Sequence, residues 1–211
     1  YMTNISHNLA QIHARIHEVA KKHDKNPANT LLLAVSKTQP AEALINAYAA
    51  GQRDFGENYA QELEQKACAL AHLNIIWHFI GPIQSNKSRV IAQYSDWVHS
   101  IDREKIAERL NQHRPAHRPP LQVCIQINID DEASKSGVTP SQLPALINTI
   151  NRLPNLTLRG FMAIPSKQNP AAAFKQLQTL AAEHNVQTLS MGMSSDMAAA
   201  IAAGSTIVRI G

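Results

Sequence analysis

Cysteine is scarce in this sequence. Cys68 and Cys124 are the only two among 211 residues, too few for a disulfide framework. Cys124 lies inside VCIQI and Cys68 inside a polar helical stretch, so both read as free thiols of a reducing, cytoplasmic compartment. No apolar run approaches the ~20 residues needed to span a membrane. The N-terminal stretch YMTNISHNLAQIHARIHEVAKKHDK has no apolar signal-peptide core, and Met2 reads as the natural start. There is no linker, low-complexity tract or short-period repeat, so residues 1–211 read as one domain. Charged residues make up 17% and hydrophobic ones 44%, which argues against disorder and for a sizeable core. The net charge of +4 and a pI near 9.2 raise the question of nucleic acid. The 20 Lys and Arg are scattered, however, with no RNP, zinc-knuckle or basic-helix pattern, so an anionic ligand is the simpler account.

What is present is an alternation. After an N-terminal helix over about residues 4–22 come eight strand-like runs: 31–37, 53–58, 75–81, 97–101, 121–129, 156–164, 188–193 and 206–211. Amphipathic stretches such as PAEALINAYAAG and PAAAFKQLQTLAAEH separate them. Strands apolar on both faces and joined by crossover helices imply a parallel sheet, and eight of them imply a closed (β/α)8 TIM barrel. Gly51 and Gly204 follow Ala-rich helices, where a left-handed residue ends the helix. HRPAHRPP (113–120) reads as a stiff loop. The eighth strand ends at Gly211, so the helix that would complete the barrel is expected to be missing.

Barrel chemistry collects at the C-terminal ends of the strands, with phosphate often held after strands seven and eight. Strand one ends at Lys37 and strand two at Glu57 and Asn58. Strand six ends at Met162, strand seven runs into Ser194 and Ser195, and strand eight carries Arg209 and Gly211. Ser194 and Ser195 are expected to open a helix, where free N–H groups favour an anion. An ordinary serine cap explains them equally well. Gly211 permits close backbone approach. A lone lysine at a strand end is most simply one that snorkels to solvent. Facing a phosphate site, the Lys37 amine instead suits Schiff-base chemistry with a phosphorylated aldehyde, of which pyridoxal 5′-phosphate is the obvious candidate. A cationic Arg209 at the ring nitrogen would disfavour its protonation and damp carbanion chemistry.

These residues sit in blocks that resemble a known family. WHFIGPIQSNKSRVI (77–91), with LLLAVSKTQP, DFGENYAQEL, SKSGV, LRGFMAI, LSMGMSSDMAAAI and GSTIVRIG, is similar to the signature of the YggS/PROSC family of pyridoxal phosphate homeostasis proteins. The resemblance runs through nearly the whole chain in order. It implies the fold-type III barrel of the alanine racemase N-terminal domain. It implies Lys37 as the residue holding the cofactor in an internal aldimine. Ser194 and the backbone near Gly211 would hold phosphate, with Arg209 at the ring nitrogen and Asn58 and Met162 lining the pocket. It further implies buffering or delivery of the cofactor to apoenzymes without efficient catalysis.

A weak amino-acid racemase is the alternative. It needs a second acid/base on the opposite cofactor face, which in alanine racemase comes from an added β-domain across a dimer interface. No such domain is encoded, so a monomer is expected, and Tyr59 beside Asn58 is the one tyrosine placed to approach the pocket. A phosphate-binding isomerase or aldolase without pyridoxal is the third class. Among other candidates, His13 and His17 read as a solvated helix face rather than a metal pair. His78 reads as a hydrogen-bonded structural histidine. No HxH pair ends strand one, which disfavours a metallohydrolase. Lys135 reads as a loop charge or a cation at the mouth. Asn86 and Lys87 stand in the signature block with no assigned role, Lys87 being poorly placed at a helix start.

Overall fold

Parallel neighbours need a crossover, and each crossover here is a helix. In the computed structural model, residues 2–130 and 136–211 are described; Lys135 lies outside them. The described strands are β1 (Leu31–Val35), β2 (Asp54–Glu57), β3 (Ile76–Phe79), β4 (Trp97–Ile101), β5 (Leu121–Gln126), β6 (Leu156–Met162), β7 (Thr188–Ser190) and β8 (Ile207–Ile210). They close in sequence order into one parallel barrel. The described helices are α1 (Met2–Lys22), α2 (Ala41–Ala49), α3 (Ala60–Ala69), α4 (Ser88–Tyr94), α5 (Glu104–His113), α6 (Leu143–Asn151), α7 (Pro170–Glu183) and α8 (Met197–Ala202). The expected (β/α)8 architecture is what forms. No helix among the described residues is long and apolar enough to cross a membrane.

Two features go beyond the sequence reading. The extra N-terminal helix, α1, lies where the barrel closes. It packs against α2 and α8, and its Ile16 and Ala20 bury against Leu32, Met197, Ile201, Val208 and Ile210. A helix reading as an N-terminal extra therefore covers the seam where the barrel closes. The strands are also shorter than their apolar runs. Gly192 adopts φ +107, a left-handed conformation that ends β7 two residues earlier and turns the chain toward the mouth. The run continues as buried loop, with Met191 fully enclosed.

The main core lies between barrel and helices, with Phe55, Phe79, Phe161 and Phe174 among its largest buried side chains. Cys124 is buried outside that cluster, within reach of the charges of Arg159 and Arg209, and burial pushes its thiol up to about 12, which leaves it inert. The proline-rich loop after α5 does more than stop a helix. Arg114 is buried, donating from Nη1 to the carbonyls of Ala92 (2.8 Å) and Ser95 (2.6 Å) and from Nε to that of Pro119 (2.9 Å). It thus caps the C-terminal end of α4, and burial lowers its pKa to about 10. Arg114→Ala strips three carbonyls of their donor, and we expect it to cost about 3 kcal/mol in urea denaturation. A loss under 1 kcal/mol would show that water replaces the guanidinium.

Candidate functional site

The closing ladder decides which residues meet. β8 pairs with β1 through Leu33↔Arg209 and Ala34↔Ile210, while β6 pairs with β7 through Met162↔Ser190. The C-terminal ends of β6, β7, β8, β1 and β2 are therefore consecutive around the rim. Met162, Ser194 and Ser195, Gly211, Lys37 and Asn58 follow those ends in turn.

Lys37 lies two residues past β1 and is exposed. Its amine makes no hydrogen bond or ion pair among the described residues. The residues on either side of it are tightly held. Ser36 is buried and donates to Glu57 Oε2 (2.5 Å). Lys66, from α3, donates to the Ser36 carbonyl (2.7 Å) and to Glu57 Oε1 (2.7 Å), and meets Glu62 Oε1 at 3.3 Å. On the other side Thr38 takes φ +64, a strained conformation for a β-branched residue, and its amide donates to Glu62 Oε1 (2.8 Å). One network thus grips positions 36 and 38 and leaves 37 free. Burial raises the Glu57 carboxyl above its ordinary range, against the hydrogen bonds from Lys66 and Ser36.

Asn58 is held from below. Gly81 runs so close to the Asn58 backbone carbonyl that a Cβ there would collide with it. The Asn58 Oδ1 is buried without a hydrogen-bond partner among the described residues, an unmet acceptor that a ligand donor would satisfy. Asn58 lines a cavity of about 290 Å³ with Ile80, Pro82, Gln126, Asn128 and Ser136. It also borders a second, of about 330 Å³, with Tyr59, Gln84 and Lys87. Neither cavity is lined by Lys37, Met162, Ser194, Ser195, Arg209 or Gly211. Met162 is almost fully buried, a floor beneath the rim.

Ser194 and Ser195 do not open α8, contrary to the sequence reading. They form the exposed turn before it, and Asp196 stands at the N-cap, its Oδ1 accepting from the Met193 amide (2.7 Å). Asp196 thus occupies the N-cap position foreseen for the serines, without a side-chain bond to the helix's own amides. The hydroxyls and amides of Ser194 and Ser195 have no partner among the described residues. Gly211 has open space where a Cβ would stand.

Arg209 is buried. Nη1 donates to the carbonyl (2.8 Å) and hydroxyl (2.7 Å) of Ser190, and Nη2 to the Ala163 carbonyl (3.1 Å). Burial lowers its pKa to about 10, so it stays a cation at neutral pH. Its Nε has no acceptor among the described residues. Behind it His99 meets Ser190 Oγ (2.7 Å), His78 meets His99 (2.9 Å), and Asp54 meets His78 (2.8 Å). His78 is thus the hydrogen-bonded structural histidine expected. The sequence reading did not single out Ser36, Lys66, His99 or Ser190. For His99 and Ser190 the signal was a polar residue inside a short, almost wholly buried strand, as in WVHSI and TLS. Among the described residues no cluster of His, Cys, Asp and Glu could hold a metal.

A model of the family "Alanine racemase, N-terminal domain" matches residues 7–211. The pyridoxal phosphate homeostasis protein of Pseudomonas aeruginosa is 55% identical, covering 100% of this chain and 94% of that protein. PipY of Synechococcus elongatus, solved with PLP bound, superposes with a TM-score of 0.81 at 37% identity, over 93% of this chain and 97% of that one. Alanine racemase of Corynebacterium glutamicum shares the fold alone, with a TM-score of 0.71 at 16% identity over 100% of this chain and 59% of that one. The fold is that of an alanine-racemase-type barrel. The chain belongs to that family, in its branch of pyridoxal phosphate homeostasis proteins.

The rim's polar groups suit a phosphorylated pyridine aldehyde: among the described residues they include an unpaired amine, unpaired amides and hydroxyls for an anion, a buried guanidinium with two N–H groups unused, and an amide oxygen left without a donor.

His99 makes a measurable prediction. Burial, with His78 and Arg209 nearby, lowers its pKa well below 6.5. Below about pH 6.5 the unfolded chain therefore binds a proton that the folded one refuses. The stability His99 confers above that pH is lost as pH falls, by up to ~1.4 kcal/mol per unit. In urea titrations at pH 7 and pH 5, His99→Gln is expected to lose less stability between the two than wild type. An equal loss would assign the acid sensitivity elsewhere.

Proposed function

We propose that this chain binds pyridoxal 5′-phosphate through the Lys37 amine and takes part in keeping that cofactor in balance, by buffering or delivering it, without efficient catalysis. The observation carrying this reading is the unpaired Lys37 amine, held by the buried Ser36–Glu57–Lys66–Glu62 network. It follows the strand paired with the one that bears Arg209 and Gly211. The names of the relatives support the same reading. When bound, the cofactor supplies an aldehyde that condenses with an amine and a ring able to take up electrons.

Each residue has a part. Lys37 offers the nucleophilic amine. Ser194, Ser195 and the backbone at Gly211 hold the phosphate. Arg209 donates to the ring nitrogen and, as a cation, opposes its protonation. Asn58 accepts from a ligand donor, and Met162 floors the site. The family match over 7–211 supports reading the whole chain as one such barrel. We also infer a cytoplasmic monomer that hands its ligand to apoenzymes. The free thiols fit that compartment.

Tyr59 favours a second reading, as a weak racemase. It is 57% exposed beside Asn58, whereas Tyr48 accepts from the Asn74 amide (3.2 Å) and Tyr94 contacts Cys68, both away from the mouth. One free phenol without a positioning partner is a poor second acid/base.

The purified protein is expected to be yellow with pyridoxal phosphate, and borohydride is expected to fix the adduct to Lys37. Lys37→Ala is expected to abolish both. A protein that stays colourless and unmodified contradicts the proposal. With L-alanine in deuterated water we expect only slow α-proton exchange, and fast exchange would favour the racemase.

A further inference from the structure

The chain of hydrogen bonds behind Arg209 has a direction. Its links run from β8 to β7, then to β4, β3 and β2. β4 and β7 are not neighbours in the barrel, so the His99–Ser190 bond crosses the lumen. His78, His99 and Ser190 are all fully buried.

Proton positions follow from counting donors. Arginine only donates, so Ser190 Oγ accepts from Arg209 Nη1 (2.7 Å). The Ser190 hydroxyl hydrogen then has one acceptor in reach, His99 Nδ1 at 2.7 Å. His99 must therefore carry its own proton on Nε2 and donate it to His78 Nδ1 at 2.9 Å. His78 in turn carries its proton on Nε2 and donates to Asp54 Oδ1 at 2.8 Å. Each link leaves every partner satisfied, with a cation at one end and a carboxylate at the other. The opposite direction fails at both ends. Ser190 Oγ could accept from His99 Nδ1–H on its second lone pair, but its own hydroxyl hydrogen would then have no acceptor among the described residues. His78 would need a second proton to keep its bond with Asp54. The ring planes are fixed too: Trp97 stacks on His78 with centroids 5.6 Å apart and 16° between planes.

We propose that Asp54, His78, His99 and Ser190 form one oriented hydrogen-bond chain that positions Arg209, holding its spare donor toward the mouth where the ring nitrogen of the cofactor would lie. This rests on the functional reading above and extends it. The four are positioning residues, since none of them touches the ligand. The chain spans the lumen from the first residue of β2 to the third of β8. The ring-nitrogen end of the site is therefore set by a carboxylate at the opposite end of the barrel. An arginine anchored to carbonyls alone could rotate between acceptors. Anchored to a hydroxyl whose own proton is committed, it has one arrangement.

Nitrogen-15 NMR of the histidine-labelled full chain, without ligand, tests the direction. Both buried rings are expected as neutral Nε2–H tautomers, and a proton on Nδ1 of either overturns the proposal. Ser190→Ala and Ser190→Thr then test the positioning. With pyridoxal phosphate labelled at the ring nitrogen, Ser190→Ala is expected to bind about tenfold more weakly and to move the ring-nitrogen resonance. Ser190→Thr keeps the hydroxyl and is expected to restore both. An Ala variant with wild-type affinity and resonance overturns the positioning role. If Ser190→Ala fails to fold, Asp54→Ala, at the far end of the chain, is read in its place by the same two measures. Wild-type protein that takes up no pyridoxal phosphate would overturn the functional reading, and with it the ligand half of this inference. The ligand-free tautomers would still decide the direction.

Discussion

The β1–β8 ladder is the contact on which the rest depends. Four residue pairs, Leu31↔Ile207 to Ala34↔Ile210, join the first strand to the last. Without it the Lys37 amine and the Arg209 guanidinium would stand at opposite edges of an open sheet, 172 positions apart in sequence. With it they follow neighbouring strand ends. Such a contact is expensive to form, because it closes nearly the longest loop in the chain. α1 offsets that cost by burying Ile16 and Ala20 over Leu32, Val208 and Ile210. The helix that looked supernumerary covers this seam.

Closure also makes an interior, and this interior is unusually polar. Barrel lumens are generally packed with branched apolar side chains. Here His78, His99, Ser190 and Arg209 occupy buried strand positions, and they bond to one another in sequence, with only N–H groups of Arg209 left over. Burying such groups is tolerable only in complete networks. The same rule governs the Glu57–Lys66 pair at 2.7 Å. A buried ion pair gains little over apolar packing in stability. What this one does is fix the backbone on both sides of Lys37, whose own amine must stay unpaired to react.

The architecture was legible because its signals are periodic and redundant. Eight apolar runs with intervening helices admit few folds. The rim residues were legible because a barrel rule converts strand ends into neighbours. Finer assignments failed where local chemistry overrode the pattern. Ser194 and Ser195 look like helix caps, but the turn closed by the Met193 amide on Asp196 Oδ1 places Asp196 at the N-cap position. The N-terminal helix looked like an addition because nothing in its amphipathic pattern names the surface it covers. His99 and Ser190 were invisible as a pair, since their contact crosses the lumen between strands 91 positions apart. Such partners emerge only once the barrel's closure and register are known.

The two networks divide the site's labour by position. Around Lys37 the buried groups hold backbone and leave the side chain loose and exposed, as a group that must meet an incoming aldehyde requires. Around Arg209 they hold the side chain itself, in the dark of the lumen, with Nε left over. A catalytic barrel would need a third fixed group, an acid/base on the far face. The free phenol at that mouth, Tyr59, is more than half exposed and anchored by nothing among the described residues. On the reading proposed above, the poised amine and the rigid cation would hold a carbonyl cofactor, and among the described residues no third group at this mouth is fixed as an acid/base.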